Sequence, residues 1–209
     1  MPRIAGARPT RAELEAARDL TIDDLVAPDL RVLFCGINPG LYSGATGYHF
    51  ARPGNRFWKA LHLAGFTDRE LDPSDGATLL RLGIGITNLV ARTTATAAEL
   101  SDGELRAGAD RLRALVERQR PRWLAMVGIS AYRVGFGEPK AEIGRQATMI
   151  AATGVWVLPN PSCLNANYQL PQLAEAFGAF RAVAFDRDPP ADGPRDPVHT
   201  KAPEGTADP

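Results

Sequence analysis

Short apolar segments alternate with helical patterns through the middle of this 209-residue chain. Four segments have the length and apolar content of buried strands: 31–35 (RVLFC), 84–89 (IGITNL), 123–128 (WLAMVG) and 155–159 (VWVLP). Helical patterns lie between or after them, at 55–65, 101–120 and 170–185. A strand that is repeatedly followed by a helix favours a parallel sheet with helices on both faces. The sequence therefore predicts an α/β fold.

The domain organisation follows from changes in composition. Residues 1–29 are predicted to form an N-terminal helix and lead-in, with Thr10 and Glu13 as a capping box. Residues 30–185 are predicted to form the folded domain. Residues 186–209 are rich in proline and aspartate and contain no aromatic residue, so they cannot bury enough apolar surface to fold. This tail is predicted to be disordered.

Bulk composition excludes several classes of protein. The 24 basic and 24 acidic side chains balance, which argues against a histone-like polycation. Two cysteines, Cys35 and Cys163, are too few for a disulfide framework or an iron–sulfur site. No apolar run reaches the ~18 residues of a membrane span, and no signal peptide is recognisable at the N-terminus. We expect a cytoplasmic protein without a metal, a cofactor or a membrane partner.

Two loops that follow apolar strands share the dipeptide Asn-Pro. The first, GINPG, spans residues 36–40, and the second, NPSCLN, spans residues 160–165. In parallel sheets the ligand lies beyond the carboxyl ends of the strands, where these loops begin. Proline stiffens the first loop, so Asn38 is presented at a strand end by a rigid frame. The same residues are also consistent with a plain strand-to-helix turn at Asn38 and with a core position for Leu164.

Together with the segments between them, the loops resemble the uracil-DNA glycosylase superfamily, and within it the mismatch-specific uracil/thymine DNA glycosylase family. The motifs that carry the resemblance are GINPG at 36–40, an aromatic segment with Phe50 that ends in NRFW at 55–58, ITNLVARTT at 86–94 and NPSCL at 160–164. They occur in the same order over about residues 22–185. The resemblance implies a three-layer α/β/α fold around a mainly parallel sheet of about four to five strands.

The resemblance also implies roles for individual residues. Asn38 is expected to be the catalytic residue, because an amide oxygen can orient the attacking water without ionising; an aspartate there would supply a true base. The base pocket is expected to contain Ile37, Gly40, Phe50 and Asn160. The DNA wedge and the contacts to the opposite base are expected from Cys163, Leu164 and Asn165. Phosphate contacts are expected from Ser162, Arg52, Arg56 and Lys59.

These roles imply a monofunctional glycosylase of base excision repair that acts as a monomer and releases uracil from mismatched duplex DNA. Gly40 stands where strict uracil enzymes carry a tyrosine, so the pocket is expected to admit ethenocytosine and, weakly, thymine. Position 91 is alanine, where relatives often carry an acid. A lesion-binding protein of the same fold with little turnover is one alternative. A flavodoxin-like binder of small molecules is another, which the absence of a G-x-G-x-x-G motif disfavours.

Overall fold

The computed structural model describes residues 8–163 and 165–186. Its strands are β1 (Val32–Gly36), β2 (Ile84–Asn88), β3 (Trp123–Val127), β4 (Gly144–Ile150) and β5 (Thr153–Leu158). They form one sheet in the order β2-β1-β3-β5-β4. Neighbouring strands are parallel except for β4, which pairs antiparallel with β5 at one edge.

Helices connect the strands. Within the described residues they are α1 (Arg11–Ala16), α2 (Leu41–Thr46), α3 (Phe57–Leu63), α4 (Gly76–Arg81), α5 (Asp102–Gln119), α6 (Ile129–Phe136) and α7 (Leu170–Asp186). Two short 3-10 helices span Pro73–Asp75 and Ala97–Glu99. The predicted capping box of Thr10 and Glu13 is present at the start of α1, and a second one, of Ser101 and Glu104, is present at the start of α5. None of the described helices is long and apolar enough to cross a bilayer.

Alternate residues of β1 pack into two separate layers. Phe34 contacts Phe57 of α3 and Phe177 of α7, with ring centroids 5.4 and 5.9 Å apart. Leu33 and Cys35 lie in the other apolar cluster, which includes residues of α5 and α6. Helices therefore cover both faces of the sheet, and the predicted three-layer α/β/α fold is confirmed.

Several elements were not predicted from the sequence. β4 is an edge strand whose residues are mostly exposed or half-buried, so its sequence (GRQATMI) lacks an apolar run. A bulge between Arg145 and Met149 further interrupts its pairing with β5. The helices α2, α4 and α6 have only six to eight residues, too few to show a helical period.

The predicted lead-in packs against the outer edge of the sheet. Leu25 exchanges two backbone hydrogen bonds with Ile86 of β2, both 2.8 Å long. An isolated bridge joins Thr21 to Arg92. These contacts cover an edge that would otherwise present unpaired backbone groups. The predicted tail from residue 187 onward, and residues 1–7, lie outside the described residues.

Candidate active site

A cleft of about 570 Å³ opens at the carboxyl ends of β1, β3 and β5. The chain continues from β1 to β2 on one side and later places β3 and β5 on the other side of β1. A crevice is expected where the strand order reverses in this way. The lining includes Ile37 and Asn38 after β1, Thr94 and Thr96 after β2, Gly128 after β3, and Asn160 after β5. Both sequence-predicted loops therefore meet in one cavity.

The side-chain amide of Asn38 is oriented by acceptors. Its Nδ2 donates to the carbonyl oxygen of Arg92 (3.1 Å), to the hydroxyl of Thr94 (2.7 Å) and to the carbonyl oxygen of Pro39 (3.2 Å). Carbonyl oxygens cannot donate, so rotating the amide by half a turn would break these contacts. No group among the described residues donates to Oδ1. Asn38 thus contributes an oriented acceptor to the wall of the cleft.

Thr94 is a site residue that sequence reasoning missed. Its hydroxyl donates to the carbonyl oxygen of Thr96 at 2.8 Å, and so it faces Asn38 with a lone pair. Thr94 is 1% exposed, which keeps water from competing for this hydrogen bond. The contact joins residues 56 positions apart, and the membership of Thr94 in the ITNLVARTT motif was the only signal in the sequence.

The segment that holds Asn38 is anchored by ion pairs. Arg92 pairs through Nε with Glu104 (2.5 Å) and through Nη1 with Asp19 (3.0 Å). The hydrogen bond from Arg92 lowers the pKa of Glu104 to about 2, so this pair is ionised at neutral pH. Residue 91 is alanine and has no carboxylate. The acids that pair with the adjacent Arg92 are Asp19 of the lead-in and Glu104 of α5.

Two further asparagines have the reverse arrangement. Oδ1 of Asn160 accepts from the backbone N–H of Ser162, and Oδ1 of Asn55 accepts from the backbone N–H of Phe57, both at 2.9 Å. Within the described part of the chain, Nδ2 of each asparagine has no acceptor. Both residues line the cleft, where each presents amide N–H groups. Asn160 was predicted to lie here, whereas Asn55 belonged to a motif but had no assigned role.

Phe50 forms an aromatic wall of the cleft. Its ring stacks on the buried ring of Phe57, with centroids 4.0 Å apart and planes 17° apart. Its φ of 51° lies in the left-handed region, which is strained for a residue with a Cβ and persists only when the surroundings hold it. Gly36 is part of those surroundings, because a Cβ there would lie 3.2 Å from Cζ of Phe50 and 2.6 Å from Oδ1 of Asn88.

Gly40 begins α2 at the edge of the cleft. Its φ of −76° is open to any residue, so the backbone does not require glycine. A Cβ built on Gly40 would have no neighbour within 4 Å. A side chain at position 40 would therefore meet open space at the lining of the cleft.

His49 is buried behind Phe50 and is held at both ring nitrogens. Nε2 lies 3.1 Å from the carbonyl oxygen of Asp23, and Nδ1 lies 3.2 Å from Nδ2 of Asn88. A carbonyl can only accept and an amide nitrogen can only donate, so this pairing assigns the neutral tautomer with the proton on Nε2. Burial lowers the pKa of His49 and so favours the same neutral form.

The burial of His49 predicts a loss of stability in mild acid. The unfolded chain takes up a proton at His49 near the ordinary pKa of about 6.5, while the folded chain resists it. The free energy of unfolding should therefore fall below about pH 6.5, by up to about 1.4 kcal/mol per pH unit. Denaturant unfolding between pH 7 and 5.5 measures the slope. His49→Gln should flatten it; a slope in this variant equal to that of the wild type would contradict the prediction.

The cleft contains cations but no acid. Among the described residues that line it there is no aspartate, glutamate or histidine, whereas Arg52 and Arg133 are present. Arg52 is exposed, and Lys59 is exposed nearby in the sequence on α3. Neither has a salt bridge among the described residues, so both are available to an anionic ligand. Ser162 lines the cleft and is half-buried.

The second Asn-Pro loop closes one side of the cleft. Asn165 donates through Nδ2 to the carbonyl oxygen of Asn160 at 2.8 Å, and its backbone N–H donates to Ser162 at 2.9 Å. Cys163 is exposed beside them. Leu164, the predicted wedge, lies outside the described residues. The loop that carries this leucine is therefore fixed on both sides of it.

The comparison with protein families agrees with this geometry. A family model described as the uracil DNA glycosylase superfamily matches residues 24–182. The match spans all five strands and both Asn-Pro loops. This chain belongs to the uracil DNA glycosylase superfamily.

Proposed function

We propose that this protein is a monofunctional glycosylase of the mismatch-specific uracil/thymine type, which flips uracil out of mismatched duplex DNA as a monomer and releases it by hydrolysis. The superfamily implies a hydrolase that cleaves N-glycosidic bonds in DNA. The duplex hides that bond, so the nucleotide has to leave the stack. We assign to Leu164 the role of filling the gap that the flipped nucleotide leaves in the stack.

The opposed orientation of the cleft amides is the observation that carries this proposal. Bond cleavage leaves positive charge on the sugar and negative charge on the departing base, and water attacks the sugar. Oδ1 of Asn38 can accept a hydrogen bond from the attacking water. Asn160 and Asn55 offer N–H groups that can donate to the carbonyl oxygens of the base as charge develops there. Phe50 offers a ring on which the base can stack.

Thr94→Val should slow base release about tenfold, or ~1.4 kcal/mol. Valine has nearly the shape of threonine but cannot accept the hydrogen bond that fixes the Asn38 amide. Single-turnover rates on a uracil duplex measure this effect, and the affinity for the duplex should not change. Thr94→Ser, which retains the hydroxyl, is the control. If the valine and serine variants have equal rates, the hydroxyl does not orient Asn38.

A substrate panel tests the proposed function. Single-turnover release should be measured on U·G, U·A, T·G and ethenocytosine·G duplexes and on single-stranded uracil. Among the duplexes we expect U·G to be fastest, because the wobble pair is cheaper to open and uracil is the better leaving group. Measurable release of ethenocytosine should accompany it. The proposal fails if no duplex loses its base under enzyme excess.

A second function is favoured by one observation, the absence of any carboxylate among the described residues of the cleft. Without a base, the same cavity could hold a flipped lesion and hydrolyse it very slowly. Such a protein would bind a U·G duplex tightly and show no burst of released uracil. Binding and single-turnover release measured on the same duplex separate the two functions.

A further inference from the structure

Arg56 forms several hydrogen bonds to the second Asn-Pro loop and to the residues that follow it. Its guanidinium donates to four backbone carbonyls of residues 161–168. Nε reaches Pro161 (3.1 Å), Nη1 reaches Tyr168 (2.6 Å), and Nη2 reaches Asn165 (3.1 Å) and Ser162. The backbone N–H of Arg56 adds a hydrogen bond to Pro161 at 3.1 Å.

These contacts use four of the five N–H groups of the guanidinium. The side chain is half-buried, and within the described residues it has no acidic partner, so the protein groups that stabilise its charge are the loop carbonyls. The sequence assigned Arg56 to DNA phosphates, yet little of its hydrogen-bonding capacity is left for one. The planar fork of arginine can reach several acceptors at once, which the point charge of lysine cannot do.

The four carbonyls lie on both sides of residue 164. Ser162 and Pro161 precede it, and Asn165 and Tyr168 follow it. Residues 159–163 and 165–169 belong to no helix or strand, so no regular backbone ladder holds these carbonyls. Arg56 therefore joins the parts of the segment on the two sides of residue 164, in addition to the hydrogen bonds that Asn165 makes to Asn160 and Ser162.

We propose that Arg56 is a positioning residue, which holds the 160–168 loop in the shape needed to keep a base pair open. This inference rests on the proposed function and assigns to Arg56 a role in duplex substrates specifically. A loop that is already ordered does not lose conformational freedom when it enters the DNA. In single-stranded DNA there is no base pair to hold open, so the release of uracil from it should depend much less on the loop.

Arg56→Lys separates this role from a phosphate contact, because lysine keeps the charge but loses the fork. We expect release from a U·A duplex to fall at least tenfold and release from single-stranded uracil to stay within threefold. The salt dependence of duplex binding should not change, since no phosphate contact is lost. Fluorescence of 2-aminopurine next to the lesion, which rises on unstacking, should be reduced in the variant. Arg181→Lys is the matched control: Arg181 also donates to a carbonyl, that of Gly65 at 2.7 Å, but on the far helix α7.

Two outcomes would overturn the assignment. If Arg56→Lys releases uracil from the duplex as fast as the wild type, the fork is not needed; if both substrates slow equally, the residue only supports the fold. Should Arg56→Lys not fold, Arg56→Gln, which leaves no buried charge, carries the same comparison. A wild-type protein that releases uracil from neither substrate overturns the proposed function itself. A wild type that releases uracil, with an unaffected Arg56→Lys, overturns only the role of Arg56.

Discussion

Asn38→Ala is expected to reduce the rate of uracil release by about 10²–10³-fold, the usual cost of removing one oriented group from a reacting centre. The structure leaves Oδ1 of Asn38 as an acceptor without a donor among the described residues, while Nδ2 is held by Arg92 and Thr94. Alanine removes the acceptor and leaves the rest of the cleft in place. Binding to a uracil duplex should stay within about threefold, since the expected loss lies in the chemical step.

Single-turnover kinetics and a binding titration on the same duplex check this result. Asn55→Ala is an informative comparison, because it removes an N–H donor rather than the acceptor for water. Asn55→Ala should slow base release less than Asn38→Ala does. The loss of rate should be larger for uracil than for bases that are better leaving groups. Full activity in Asn38→Ala would remove Asn38 from the mechanism.

The structure changes the expectation for Asn38→Asp. The sequence suggested that aspartate would supply a base and accelerate release. In the folded protein, however, one carboxylate oxygen would face the carbonyl oxygens of Arg92 and Pro39, where Nδ2 now lies 3.1 and 3.2 Å away. Acceptors that face each other favour the protonated acid. The variant should therefore be no faster than the wild type at pH 7, and its rate should rise with pH as the acid ionises.

Gly40→Tyr is expected to cut the release of thymine and ethenocytosine by at least about a hundredfold, while uracil release falls less than about tenfold. Tyrosine can adopt the φ of −76° at position 40, so the fold should tolerate it. Gly40 lines the cleft and a Cβ on it has open space around it, so the ring is expected to occupy the room that a base with a bulkier edge needs. Release rates for the three bases in the wild type and the variant give the ratio directly.

Gly40→Ala is the matched control for this substitution. Its methyl group would meet nothing within 4 Å, so the ratio of thymine to uracil release should stay within about threefold of the wild type. If the tyrosine variant also kept that ratio, Gly40 would not set the size of the pocket.

The parts of this fold that could be predicted are those with a local signal. β1, β3 and β5 are buried strands with continuous apolar runs, and α5 carries its capping box in the sequence. β4 could not be predicted, since an exposed edge strand needs no apolar period. The rule that ligands bind at strand ends predicted that the loops of Asn38 and Asn160 lie at one edge of the sheet, and both residues line one cleft there, because the rule depends only on where each strand stops.

The partners within the site had no such signal. Thr94 meets Asn38, and Arg56 meets the loop from Pro161 to Tyr168, through contacts between residues 56 to 112 positions apart. Nothing in the residues near Arg56 distinguishes a guanidinium that binds phosphate from one that binds carbonyls. That distinction depends on the distance between α3 and the second loop, which is a property of the folded chain.

Asn38 and Asn160, in the loops after β1 and β5, are both followed by proline. Asparagine deamidates when the backbone nitrogen of the next residue loses its hydrogen and attacks the side-chain amide. The nitrogen of Pro39 or Pro161 carries no hydrogen and cannot do so. At Asn55 the next nitrogen belongs to Arg56, and its hydrogen is engaged with the carbonyl of Pro161 at 3.1 Å. The attacking group is absent after Asn38 and Asn160 and is occupied after Asn55, so these three amides resist slow conversion to carboxylates.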